Sequence, residues 1–139
     1  MENSQKSIVA IAHTTEKHRS HERVLGLVRE AVDLLGGIGE FVKHGNTVLI
    51  KPNLTVYYSA EEGCTTDPQV VGALIILAKE AGASRVIVGE SSGEFFSTIN
   101  CMEITGIAAV AEREGAEIVD LGSDSTPNRD VRLASGEIV

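Results

Sequence analysis

Four short, uninterrupted aliphatic runs constrain this chain more than any other feature of its sequence. They are Ile8–Ala12, Thr47–Ile50, Arg85–Val88 and Glu117–Val119. None shows clean polar alternation, and strands covered on both faces of a parallel sheet have that character. Helical spacing fills the intervals, over Ser20–Leu35, Pro68–Ala81 and Met102–Glu114. In the first interval Val24, Leu27, Val28, Ala31 and Leu35 share one stripe. The order β-α-β-α-β-α-β predicts an α/β fold, a mostly parallel sheet with helices on both faces and right-handed crossovers. All four strands are expected to be internal. Strand order is not legible from spacing.

Helix ends carry their own signals. Gly36-Gly37, Gly82 and Gly115 each follow a last periodic residue, where a left-handed cap suits glycine. Asp67-Pro68 opens the second helix as N-cap and first helical residue, and Asn100 with Glu103 offers a capping box for the third. After Asp120 the sequence turns polar and glycine-rich, then gives Val131–Leu133 and Glu137–Val139 around Ala134-Ser135-Gly136, a short hairpin. The chain stops inside that apolar run. The expectation is a single α/β domain over residues 1–139, the N-terminal part of a larger domain truncated at its C-terminal end. An apolar patch near 131–139 would then be exposed and drive self-association.

Composition narrows the partners. The chain has 139 residues, 42% hydrophobic and 23% charged, which suits one globular domain rather than a disordered tail. Twelve Lys+Arg against 20 Asp+Glu give a net charge of -8, so phosphate backbones are repelled and nucleic acid is not expected as a partner. No window approaches the ~18 apolar residues of a membrane span, and no signal-peptide core follows the N-terminus. A cytoplasmic location is expected, and free cysteines suit its reducing conditions. Cys64 and Cys101 are too few for the four thiolates of a common iron–sulfur cluster.

Ligands of open parallel sheets sit beyond the carboxyl ends of the strands. Lys51, Pro52 and Asn53 follow the second run; Glu90 and Ser91 follow the third; Asp120 follows the fourth. A long connection, Thr55–Thr66, carries Tyr57 and Tyr58 and leads into Thr66-Asp67. The candidate ligand site is therefore Lys51, Asn53, Thr66, Asp67, Glu90, Ser91 and Asp120. Lys51 is the single cation of this set against three carboxylates, which suits a metal-bound or mixed-charge small molecule better than free phosphate. A structural alternative stays open: Lys51 pairs with Asp67 or Glu90 across the mouth of the sheet. His13, His18, His21 and His44 lack carboxylates at metal-site spacing and assign no metal. Neither a dinucleotide fingerprint nor a Walker loop is present.

Val48-Leu49-Ile50-Lys51-Pro52-Asn53-Leu54, Thr65-Thr66-Asp67-Pro68-Gln69-Val70-Val71 and Ala81-Gly82-Ala83 before Val86-Ile87-Val88-Gly89-Glu90 resemble domain-of-unknown-function family 362. Gly106-Ile107, Gly115-Ala116-Glu117 and Val119-Asp120-Leu121 follow in the same order. The resemblance implies a bacterial or archaeal α/β protein longer than this chain, and it assigns no reaction. Some members carry ferredoxin-type cysteine motifs, so the resemblance leaves any cluster to a missing segment or a partner. Two functions follow as expectations: an enzyme, or the substrate-binding half of one, acting on a small anionic or metal-bound ligand, and a non-catalytic ligand-binding or redox-partner module serving an iron–sulfur protein.

Overall fold

Ser20 starts the first helix by accepting the Arg23 N–H on its hydroxyl at 3.3 Å, which satisfies one of the unpaired donors of a helix start. The computed structural model describes residues 7–15, 20–54, 56–93 and 95–123. From that cap, α1 runs over His21–Asp33. A short 3-10 turn at Ile38–Glu40 then leads into β1, Thr47–Ile50. Asp67 caps α2, Pro68–Glu80, by accepting the Gln69 N–H at 2.9 Å, with Pro68 in the first turn as expected. Then come β2 (Arg85–Glu90), α3 (Thr98–Ile104), α4 (Ile107–Arg113) and β3 (Glu117–Asp120).

The three strands form a parallel sheet in the order β1-β2-β3, with Ile50 opposite Val88, Val88 opposite Ile118 and Glu90 opposite Asp120. Strand order follows chain order, so each right-handed crossover lays its helix on the same side. The core confirms it. Val48, Ile50, Val86, Val88 and Ile118 share that side and pack with Val71, Ile75 and Ala78 of α2 and Ile107 and Ala111 of α4. Among the described residues the helices therefore cover one face, not both. On the other face Leu49 stays 51% exposed.

Three further segments depart from their local pattern. Residues 8–12 form no strand; Ile8, Val9 and Ile11 lie in solvent. An apolar β-branched run has strand propensity, yet a strand exists only with a paired neighbour and a covered face. β1 and β3 are then edges of the described sheet, and only β2 is internal. The single helix expected over 102–114 is two. Gly106 sits at φ 82, in the left-handed region, and the Thr105 hydroxyl donates to the Cys101 carbonyl at 2.7 Å, so the ladder breaks there. Ser97, not Asn100, caps α3. The expected hairpin at 131–139 lies outside the described residues.

Gly82 shows why a glycine ends α2. Its φ is 85, and a Cβ there would meet His44 Cδ2 at 2.8 Å. Beside it, the Gly82 carbonyl accepts the Gly45 N–H at 2.8 Å and the Asn46 carbonyl accepts the Ser84 N–H at 2.9 Å, tying the starts of β1 and β2 together.

At the amino ends of β2 and β3, Arg85 grips Glu117 with two hydrogen bonds, of 2.7 and 2.5 Å. That grip holds the Glu117 carboxyl below its ordinary value of 4.5. A carboxylate with a depressed folded pKa contributes stability that is fully present above its unfolded value and fades as pH falls through the depressed one. Both groups are solvent-exposed, so the contribution is small and weakened by salt. Glu117→Gln is expected to reduce the drop in urea midpoint between pH 7 and pH 3. An undiminished drop in the variant would detach this pair from the acid sensitivity.

Candidate functional site

Lys51 is the first residue past β1, and Glu90 is the last of β2. Register brings them together: Lys51 Nζ lies 2.5 Å from Glu90 Oε2. The Lys51 side chain is 59% exposed and that of Glu90 is 7%. Glu90 keeps its second oxygen occupied by accepting the Ser91 N–H at 2.8 Å. A carboxylate this buried must be paired or hydrogen-bonded to stay charged, and here it is both. The alternative partner for Lys51, Asp67, is engaged as the cap of α2.

Asp120 stands beside Glu90 in the register of β2 and β3. Its Oδ1 accepts the Gly122 N–H at 2.9 Å, which turns the chain tightly past the strand end. The Glu90 carbonyl accepts the Leu121 N–H at 2.8 Å and extends the pairing by one step. A side chain on Gly122 would strike Ser91 Oγ at 2.4 Å and approach Asp120 Oδ1 to 3.4 Å. So Ser91, Asp120 and the bare backbone of Gly122 crowd one spot next to Glu90.

Asn53 and Thr66 form a second group. The Asn53 N–H donates to Thr66 Oγ1 at 2.9 Å, and the Thr66 N–H donates to the Asn53 carbonyl at 3.0 Å. Asn53 Nδ2 donates to the Cys64 carbonyl at 2.9 Å. With the antiparallel bridge between Leu54 and Thr65, these bonds close the long connection at its base. Asn53 thus spends its amide on the loop. Within the loop a 3-10 turn at Ala60–Glu62 is held by a reciprocal Ser59–Glu62 capping box. Tyr57 meets Phe96 edge-on at 5.1 Å between centroids, linking this connection to the one after β2. Ser92 strengthens that link by donating to the Leu54 carbonyl at 2.8 Å.

One buried group escaped the sequence reading. Thr65 is buried, and its Oγ1 has no hydrogen-bond partner among the described residues. Nothing in a Thr-Thr pair tells which hydroxyl the fold will bury. Among the described residues no three His, Cys, Asp or Glu side chains gather closely enough to hold a metal ion. Cys101 is buried in α3 and Cys64 is exposed on the loop. No described helix is long and apolar enough to cross a membrane.

The site thus consists of a charged pair with Asp120 and Ser91 at its side, and a hydrogen-bonded loop base at Asn53, Thr66 and Asp67. The first group can offer an ammonium to an anion and carboxylates to a proton or cation. The second shapes the rim.

Comparison with known proteins adds a family and one relative. A thylakoid-associated protein of Synechocystis sp. is 41% identical over 68 residues, which cover 49% of this chain and 21% of that protein. The chain spans about a fifth of that relative's length. No solved structure matches. The sequence model of the family described as Domain of unknown function (DUF362) matches residues 48–138, from the first apolar residue of β1 through every site residue discussed above. That match covers more than half of the chain, and the chain belongs to the DUF362 family.

Proposed function

We propose that the carboxyl end of this sheet binds a small anionic or metal-bound ligand, and that the chain works as an enzyme or as the substrate-binding half of one. The observation that carries this reading is the Lys51–Glu90 pair, a nearly buried carboxylate holding an ammonium that faces solvent. An apolar residue at the end of β2 would serve the core without the desolvation cost of a charge. The pair instead fixes a cation at the strand ends, where α/β sheets bind ligands. In this reading Lys51 takes an anionic group of the ligand. Asp67, Glu90 or Asp120 handles a proton or a cation, Ser91 adds a hydrogen bond, and Asn53 and Thr66 hold the rim. The chain works in the cytoplasm and carries no iron–sulfur cluster of its own, because two cysteines supply half the thiolates that a common cluster takes.

Calorimetric titration with malonate, with and without Mg²⁺, and with orthophosphate tests the site. The wild-type chain is expected to bind malonate in the presence of Mg²⁺ more tightly than orthophosphate. Losing a charge-assisted hydrogen bond costs about 1.5–3 kcal/mol, so Lys51→Met should bind roughly tenfold or more weakly. Equal affinity in a variant with wild-type circular dichroism would reduce Lys51 to a structural partner of Glu90. An absence of binding to all three probes by the wild-type chain would count against the site itself.

A further inference from the structure

The outer edge of β1 has no strand beside it among the described residues, and an apolar groove of about 430 Å³ runs along it. Val32 of α1, Leu35 in the turn that follows it, Phe41, Val48, Leu49 and Leu74 line the groove. Phe41 and Leu49 are 60% and 51% exposed there. Elsewhere on the surface, Ile8, Val9 and Ile11 are 79%, 79% and 77% exposed, three large aliphatic side chains within four residues. An uncovered parallel edge and an uncovered β-branched run are each unfavourable in water.

We propose that the free edge of β1 and its groove are a docking site for residues 8–12 of this same chain, which add there as a fourth parallel strand. Three observations select this occupant. The first is direction. His21 of α1 is hydrogen-bonded to Gln69 of α2 at 2.9 Å, and Arg29 of α1 pairs with Glu80 of α2 at 2.8 Å. The two helices start together and run the same way, so α1 lies beside α2 with the direction of a crossover helix, and the groove separates it from β1. A strand ahead of α1 then belongs parallel to β1 on its open side, with a right-handed connection and α1 on the face already holding α2.

The second observation is reach. Arg23 Nη1 donates to Thr14 Oγ1 at 3.0 Å, which holds the end of the segment beside the first turn of α1, at the carboxyl end of the sheet. Neighbouring strands lie about 4.8 Å apart, and the eight residues from Ala12 to Ser20 span up to roughly 26 Å when extended. The third is chemistry. Val9 and Ile11 point to one side of a strand and Ile8, Ala10 and Ala12 to the other, so both sides are apolar, as both sides of this edge are. Docking buries the groove and supplies the missing ladder in one step. It also carries His13 and Thr14 to the strand ends that bear Lys51, Glu90 and Asp120. The inference stands independently of any ligand there.

Hydrogen-exchange mass spectrometry on the full chain tests it. Ala10→Pro removes an N–H from the middle of the added strand and cannot continue a ladder. In the wild-type chain, amides of residues 8–12 and 47–51 are expected to exchange about tenfold or more slowly than in Ala10→Pro, because a docked strand must open before it exchanges. The double variant Val9→Asp, Ile11→Asp, which leaves every backbone N–H in place, should lose the same protection. Amides of α2 should be unchanged in both variants and so report an intact fold. Equal, fast exchange of residues 8–12 in all three proteins would overturn the proposal. Protection that appears only as protein concentration rises, together with a dimer in sedimentation, would overturn it in favour of strand exchange between copies.

Discussion

Lys51→Met is expected to lower the unfolding free energy by about 1–3 kcal/mol, and adding Glu90→Gln to that variant is expected to return part of the loss. Removing the ammonium leaves Glu90, with only 5% of its surface exposed, holding one hydrogen bond from the Ser91 N–H for two carboxylate oxygens. A buried carboxylate stripped of its cation costs more than the intact pair ever contributed, because its desolvation is no longer offset. The upper range for fully buried pairs does not apply, since Lys51 itself is 59% exposed and water reaches its side. Glutamine at position 90 keeps the shape and removes the charge that needs compensation. Urea denaturation of the wild type, both single variants and the double variant closes the cycle. Independent sites add within about 0.3–0.5 kcal/mol. A coupling inside that margin would mean that the amine only rests near the carboxylate, and the pair would then support neither stability nor a ligand site.

Much of this arrangement is legible in the sequence, for physical reasons that also mark where legibility ends. β1 matches the apolar run Thr47–Ile50 to the residue, and β2 and β3 extend theirs by two residues and one. Continuous aliphatic runs bounded by glycine or polar residues leave little choice once a layer of helices covers them. The run at 8–12 has the same local character and still lies outside the described sheet, because pairing is decided by neighbours that local pattern does not specify. Gly106 is similar. In the sequence it is one glycine within a helical stretch, and only the backbone at φ 82 shows that it separates α3 from α4. At the site, the strand-end rule brings Lys51 to Glu90 without any knowledge of strand order. The mutual bonds of Asn53 and Thr66 span 13 residues of loop and have no periodic signal at all. The switch point where parallel sheets open a crevice is also absent from the described residues, since their strand order never reverses. The candidate site therefore rests on its side chains rather than on a cleft of the sheet.

Those side chains stand on strands whose buried face packs against α2, and the second large effect is expected there. Ile75→Ala should destabilise the chain by about 2–5 kcal/mol, the range for truncating a fully buried aliphatic side chain. Ile75 is fully buried and sits in the cluster that joins Ile50 of β1, Val86 and Val88 of β2, and Ile107 and Ala111 of α4. The neighbours have little room to close a cavity, because α2 and α4 already approach so closely at Gly72 that a Cβ there would meet Val110 at 2.8 Å. A domain of this kind has about 5–15 kcal/mol in all, so the loss is a large share of its stability. The amino end of α2 carries Asp67 and adjoins Thr66, and Lys79 near its other end donates to the Gly115 carbonyl at 2.9 Å, where the chain enters β3. Loosening α2 therefore loosens both the loop base and the strand that bears Asp120. In urea, the midpoint of Ile75→Ala should fall with an unchanged slope, and the signals for helix content and for Tyr57 and Tyr58 fluorescence should shift together. A tyrosine transition that stayed at the wild-type midpoint would show that the long connection is ordered by its own hydrogen bonds, independently of α2.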